Sequence, residues 1–451
     1  MGDSPVKVER AGIEHIAPEE RHGSPGRVFT LWFAANLTVA DYVIGVLCVQ
    51  AFGLTVVQSV PVLLLGNLLG GLVLGLSAAM GPRLGFPQML SSRSSFGRQG
   101  NYLFGGLNWV STVGWFTVNT ILGVQAIQAV YPSLNFYAAA ALLVALQVVV
   151  AVYGHDFIHL FEKAMSVILG LLFLGVFALT LPKLGTALAF VPSNGASGMP
   201  ALGAVGVVLA TSFSYLMSWS PYASDYSRYL PSSVSGRRVA VYALVGGAAA
   251  SFAVEVIGAL VGSLTPGPAF FQDLYSFSGS FGGLAILAII LGALAANALN
   301  IYTNALSALV LDIRAKRWLM VVVGGAVGLA VSFLGQSNFV INYQDFLFIL
   351  DYWITPWFAI VLVDYFVARR TTVESCANPL NWDSRALMAY VIAVVVSIPF
   401  MTPLNPFNGA PLGFPFGSLA YVFGNADFSY FVSFGVAAVL MLSIRRRAAR
   451  P

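Results

Sequence analysis

The chain predicts an all-α polytopic membrane protein of twelve transmembrane helices, and three observations predict it. Of its 451 residues, 58% are hydrophobic and 9% charged, against about 25% charged in an ordinary soluble domain, and mean hydropathy is +0.82. Apolar windows of the length that crosses a bilayer, about 20 residues, recur between charge, Pro or Gly breaks. They lie at 28–52, 55–80, 101–130, 134–153, 157–181, 201–222, 238–263, 281–311, 318–335, 344–367, 386–403 and 418–444, spans 1 to 12 below. Finally, every one of the 22 Lys and Arg except Lys183 lies in a tail or at the loops after even-numbered spans. By the positive-inside rule both termini are cytoplasmic, which requires an even count, and the protein belongs in the plasma or inner membrane.

Residues 1–27 are polar, mixed in charge and carry Pro5, Pro18 and Pro25, so a disordered cytoplasmic tail is expected rather than a removable signal. Residues 446–451 form a second short tail, and 28–445 make one transmembrane domain. Cys48 and Cys376 suggest no disulfide framework. The net charge of +4 follows from topology and implies no nucleic-acid partner. In span 1, WFAANLTVADYVIG places Asn36, Thr38 and Asp41 at mid-bilayer. A carboxylate there costs about 2.5–3.5 kcal/mol, so Asp41 faces a cavity or partner where it can exchange protons, or is satisfied by helix packing. Segment 82–100 is too polar to span and reads as interfacial or re-entrant. In span 3, Trp115 and Asn119 share a helical face; an indole beside a carboxamide suits a flat polar heterocycle, although a Trp can also anchor a helix at the interface. His155 and His159 are spaced i, i+4, but Asp156, Glu162 and Lys163 around them indicate a solvated face, so no metal site is expected.

Span 6 runs into SFSYLMSWSPYASDYSRYLP (212–231), rich in Ser and in the aromatics Tyr215 and Trp219. Pro221 lacks an N–H and clashes with the carbonyl near Met217, so the helix kinks or opens. Inside a bilayer, opened backbone is tolerated only in protein or beside a wet cavity, which makes this stretch a candidate binding site; the alternative is a kinked packing helix. Asp225 and Arg228 could be a gate or a helix-end pair. Glu255 in span 7 and Asp351 in span 10 are candidate relay carboxylates. In span 8, Asn297, Asn300, Thr303 and Asn304 recur on one face and could read a ring edge or tie helices together. A five-plus-five repeat would put spans 1–5 (28–181) and 6–10 (201–367) in opposite orientation, leaving 386–444 as extra helices. Paired interruptions in spans 1 and 6 suit that plan and mark a transporter site. No HExxH, GxSxG or cofactor motif is present, so neither an enzyme nor a cofactor is expected, and the absence of charge rings argues against a passive channel.

At WSPYASDYSRYLP (219–231), GWFTVNTILG (114–123), FPQMLSSRSSFGRQG (86–100) and WITPWFAIVLVDYFVARR (353–370), in that family's order, the chain resembles the nucleobase–cation symporter-1 family, in its purine–cytosine permease branch, over nearly all of 27–445. The resemblance implies a leucine-transporter-like fold, alternating access, and import of a nucleobase with a cation by a protein functional as a monomer. It implies a planar ring held between Trp115 and a span 6 aromatic, Tyr215 or Trp219, with amides from Asn119, Asn300 and Asn304 and Thr38 nearby. Sodium-coupled relatives bind the ion with span 1 carbonyls, here resembling Ala34 and Leu37, and two span 8 hydroxyls, here replaced by Ala298 and Leu299. A hard cation requires oxygen ligands, so a proton is favoured, with Asp41 or Glu255 as acceptor. The alternative is a sodium-coupled importer of an allantoin-, hydantoin- or thiamine-like ring.

Overall fold

The computed structural model describes residues 8–9, 11–193, 195, 199–265, 267, 269–336, 339–403 and 411–448. Span 1 is two helices, Pro25–Ala35 and Val39–Gln50, bent by 53°. Spans 2 to 5 are Val56–Ala78, Tyr102–Val130, Phe136–Tyr153 and His155–Thr180. Span 6 is Met199–Met217, then a tight turn Ser220–Tyr222 and a short helix Ala223–Ser227. Spans 7 to 10 are Gly236–Leu264, Gly282–Val310, Arg317–Gly335 and Phe339–Leu362. Among the described residues, ten helices are long and apolar enough to cross a bilayer alone, and the broken span 1 makes an eleventh. The twelfth window, span 11, is helical over Ser384–Ser397 and a final turn Ile398–Phe400, shorter than expected because the chain then enters the Pro-rich stretch. Span 12 begins at Ser429, not 418, where the Asp427 carboxylate accepts from the Ser429 N–H at 2.9 Å. Residues 404–410 lie outside the described set.

Small residues set the helix crossings that bring the broken spans together. A Cβ on Gly45 would stand 1.9 Å from the Glu255 carbonyl and one on Gly258 2.2 Å from the Tyr42 carbonyl, so spans 1 and 7 touch backbone to backbone. A Cβ on Gly292 would stand 2.4 Å from the Leu37 carbonyl, so span 8 passes directly against the interruption of span 1. Segment 82–100 folds as single turns, Gln88–Ser91 and Arg93–Phe96, tucked under the bundle and fastened by Arg98 N–H to Leu380 O (2.7 Å) and Asp383 N–H to Phe96 O (2.9 Å).

Two expectations need correction. The described part of the N-terminal tail is not loose: Ile16 is buried, and Glu9, Ile16 and His22 donate backbone hydrogen bonds to the carbonyls of Tyr153, Gly85 and Tyr229. Its charges find partners inside the fold. Glu9 accepts from Tyr229 Oη (2.5 Å), Tyr302 Oη (3.1 Å) and the His155 N–H (2.8 Å), and its carboxylate lies 3.5 Å from Arg228 and 3.7 Å from Arg317. Burial alone would raise the Glu9 carboxyl, but the two arginines hold it below the usual carboxylate range. Nor do His155, His159 and Glu162 form a solvated face. All three are buried: the His155 N–H donates to Glu9 of the tail, and His159 Nε2 lies 3.2 Å from the Tyr226 carbonyl beyond the span 6 break.

Candidate functional site

The interruption of span 1 falls at Asn36–Leu37, where Thr38 starts the second half by accepting from the Asp41 N–H. The interruption of span 6 falls at Ser218–Trp219, one turn before Pro221 as its missing N–H dictates. From these breaks a closed circuit of side chains can be followed through four spans. Thr38 donates to Asp41 Oδ2 at 3.3 Å and lies 2.8 Å from Tyr215 Oη. The Tyr215 ring meets Trp115 edge to face at 5.2 Å, and Trp115 is also flanked by Phe346 at 5.2 Å. One turn along span 3, Asn119 Nδ2 donates to Asn297 Oδ1 at 3.1 Å, and Asn300 Nδ2 donates to the same oxygen at 3.3 Å. Tyr222 Oη donates to Asn300 Oδ1 at 3.0 Å, and its ring lies 5.3 Å from Trp219. Trp219 Nε1 closes the circuit on Asn36 Oδ1 at 3.0 Å, back at the span 1 break.

All of these side chains except the half-buried Phe346 are buried, and three of their polar atoms have no partner among the described residues: Trp115 Nε1, Asn119 Oδ1 and Asp41 Oδ1. Buried polar atoms are nearly always paired, so an indole donor, an amide acceptor and a carboxylate oxygen left over together need a reason. Asn36 and Asn297, which the sequence marks among the polar residues of spans 1 and 8, and Tyr222, to which it gives no role, complete the circuit. For Asn297 the signal was present, since it stands three residues before Asn300 on the same face.

Other expected site residues lie elsewhere. Asn304 does not join the circuit: its amide donates to Trp109 O (3.0 Å) and Thr112 Oγ1 (2.9 Å), and a Cβ on Gly324 would stand 2.2 Å from its Oδ1, so it points toward spans 3 and 9. Asp225 and Arg228 do not pair. Asp225 accepts from the Gln88 N–H and Thr303 Oγ1, both at 2.9 Å, while Arg228 donates to Gly12 O at 2.9 Å and faces Glu9. Glu255 is buried between Asn67, which donates to it, and Ser212, which donates at 3.1 Å. Both Asp351 carboxylate oxygens are buried without a hydrogen-bond partner among the described residues. Ala34 O accepts from the Leu37 N–H at 3.1 Å within the turn, and Leu37 O faces span 8 at Gly292. Leu299 O accepts from Tyr226 Oη at 2.7 Å. Among the described residues, the side chains that could hold a metal are His155, Asp156 and His22, with ligand atoms within 4.8 Å of one another; His159 is not among them.

Two interrupted helices facing each other across a buried, polar-aromatic circuit define a membrane transporter of the broken-helix class. A family model described as a permease for cytosine/purines, uracil, thiamine and allantoin matches residues 15–432, and the chain belongs to that family. YxlA of Bacillus subtilis, whose name assigns it to the purine–cytosine permeases, is 30% identical over 96% of this chain and 95% of its own. The purine–cytosine permease fcyB of Emericella nidulans is 26% identical over 98% of this chain and 89% of its own. Among solved structures, the nucleobase-cation-symport-1 transporter Mhp1, closed with bromovinylhydantoin bound, superposes with a TM-score of 0.77 at 19% identity, covering 99% of this chain and 96% of that one.

Proposed function

We propose that this chain is a secondary active transporter that imports a nucleobase, cytosine or a purine, together with a proton, working by alternating access as a monomer in the plasma or inner membrane with both termini cytoplasmic. The circuit through spans 1, 3, 6 and 8 carries this reading. Its unpaired indole donor and amide acceptor suit the alternating donors and acceptors of a nucleobase edge, and Trp115 offers a ring face for stacking. Two relatives named as purine–cytosine permeases support the substrate class. The interruptions in spans 1 and 6 support inverted repeats over 28–181 and 201–367.

For the coupling ion, Asp41 is bonded into the circuit through Thr38 and keeps one buried oxygen without a partner among the described residues. A proton on that oxygen neutralises a buried charge, so substrate and proton can be occluded together, whereas the empty return with a bare carboxylate is unfavourable. Glu255, one helix away, is the second candidate acceptor. A sodium ion would draw on the Ala34 and Leu37 carbonyls, but Ala298 and Leu299 add no side-chain oxygen.

Uptake of radiolabelled cytosine and adenine into proteoliposomes tests the proposal. We expect accumulation driven by an inward proton gradient, collapse with a protonophore, and no effect of replacing sodium by choline. Dependence on a sodium gradient at constant pH would overturn the coupling, and flux without accumulation would overturn active transport.

A further inference from the structure

On the side of the molecule that carries the arginine-rich loops, a cavity of about 530 Å³ opens between the ends of spans 2, 7 and 10, lined among others by Arg83, Ser232, Gly236, Tyr365, Phe366 and Arg369. It lies away from the transport circuit. Arg83 is exposed and its guanidinium stands 5.9 Å over the Tyr365 ring. Arg369 is exposed too, and its backbone is in the left-handed region at φ 54°, a conformation that few non-glycine residues adopt. That conformation ends span 10, whose last turn has widened so that the Ala368 N–H reaches back to Val363 O, and it sets Arg369 at the cavity. Two more arginines, Arg237 and Arg238, begin span 7 immediately after Gly236.

None of these four arginines has a carboxylate partner among the described residues. Of the two acids five residues from Arg369, Asp364 is already taken by Arg445, which donates to both its oxygens at 2.8 and 3.0 Å, and Glu374 accepts from Asn378 Nδ2 at 2.6 Å. Among the described residues the cavity lining holds no Asp or Glu, so its charge is uncompensated. Guanidinium groups fit phosphate oxygens as paired donors. The surroundings say which phosphate. Phe366 and Val367 at the cavity edge are exposed apolar side chains, as are Val241 and Val245, one and two turns into span 7 from Arg237. An occupant with a phosphate at the cavity and hydrocarbon along these side chains matches both surfaces, and basic pockets between transmembrane helices are known to take anionic headgroups.

We propose that this cavity is a binding site for the phosphate headgroup of an anionic phospholipid, held by Arg83 and Arg369 with its acyl chains along spans 7 and 10. The test uses the full chain in detergent, offered equal amounts of phosphatidylglycerol and phosphatidylcholine, with bound lipid counted by native mass spectrometry. The expected result is roughly thirtyfold preference for phosphatidylglycerol, the scale of two arginines at about 1 kcal/mol each acting on one phosphate, falling to about parity in Arg83→Gln/Arg369→Gln and partly kept in Arg83→Lys/Arg369→Lys. Preference that survives the glutamines, or is lost as fully in the lysine variant, would overturn the site. Equal displacement of the lipid by millimolar inorganic phosphate would reassign it to a free phosphate and overturn the lipid.

Discussion

Asn297→Ala is the perturbation that most directly tests the transport circuit. Its Oδ1 is the shared acceptor for Asn119 (3.1 Å) and Asn300 (3.3 Å), and its Nδ2 donates to Phe116 O (2.9 Å) and Thr120 Oγ1 (3.3 Å). Removing the carboxamide leaves two buried N–H donors without an acceptor, each a loss of about 1–3 kcal/mol. Part of that loss falls on folding and part on the positions of Asn119 and Asn300, so cytosine binding should weaken by at least about tenfold, or roughly 1.4 kcal/mol. A double-mutant cycle with Asn119→Ala, read by ligand-induced thermal stabilisation and equilibrium binding, separates the two contributions. Because Asn297 acts through Asn119, which it holds in place, the double variant should bind little worse than either single one, a coupling of about 0.5–3 kcal/mol. Wild-type affinity in Asn297→Ala, or strictly additive effects, would show that these amides only fasten spans 3 and 8.

Four further outcomes are expected. Trp115→Ala should weaken substrate binding by roughly 1–3 kcal/mol, the range for base–aromatic stacking, while the protein still reaches the membrane; unchanged affinity would remove the indole from the site. Asn304→Ala should lower thermal stability yet leave the ranking of competing bases intact, because its amide is bonded to Trp109 and Thr112; a reordered inhibition profile would return it to the site. Asp41→Asn should abolish accumulation but permit substrate exchange, since the amide mimics the protonated acid, and loss of exchange as well would make Asp41 structural. Glu9→Gln should destabilise the protein by about 3–5 kcal/mol, because Arg228 and Arg317 are left buried without their carboxylate. With its carboxyl held below the ordinary value of 4.5, the Glu9 contribution is present above that pH and fades below it, so a melting-temperature profile of Glu9→Gln should converge on wild type in acid.

Much of this architecture was legible because apolar length and charge placement are properties of single segments. Ten windows match helices closely, and Pro221 announces the break in span 6. The blurred region, 399–428, is where Pro, Gly and Asn replace periodicity, and the helix of span 12 accordingly begins late. Within the site, the spacing of Trp115 and Asn119 showed that they share a face, but no spacing tells which neighbour that face meets. That is why Asn300 and Asn304, one turn apart, diverge: one faces the broken span 6 and the other spans 3 and 9. The tail was misread for a related reason. A polar, proline-containing segment looks solvated unless its distant partners are known, and Arg317 lies 308 residues from Glu9.

That distance has a consequence for how the molecule is made. Glu9 emerges from the ribosome long before Arg228 and Arg317 exist, so for most of synthesis the acid has nothing to hold. Ile16 and Arg21 can bond Gly85 and Pro82 once segment 82–100 has emerged, but Glu9 gains both of its arginines only after span 6 and then the start of span 9 have been delivered. A chain halted before span 9 would lack Arg317 and leave Glu9 with Arg228 alone, so the full charge pairing of the tail is completed only when the later half of the molecule is in place.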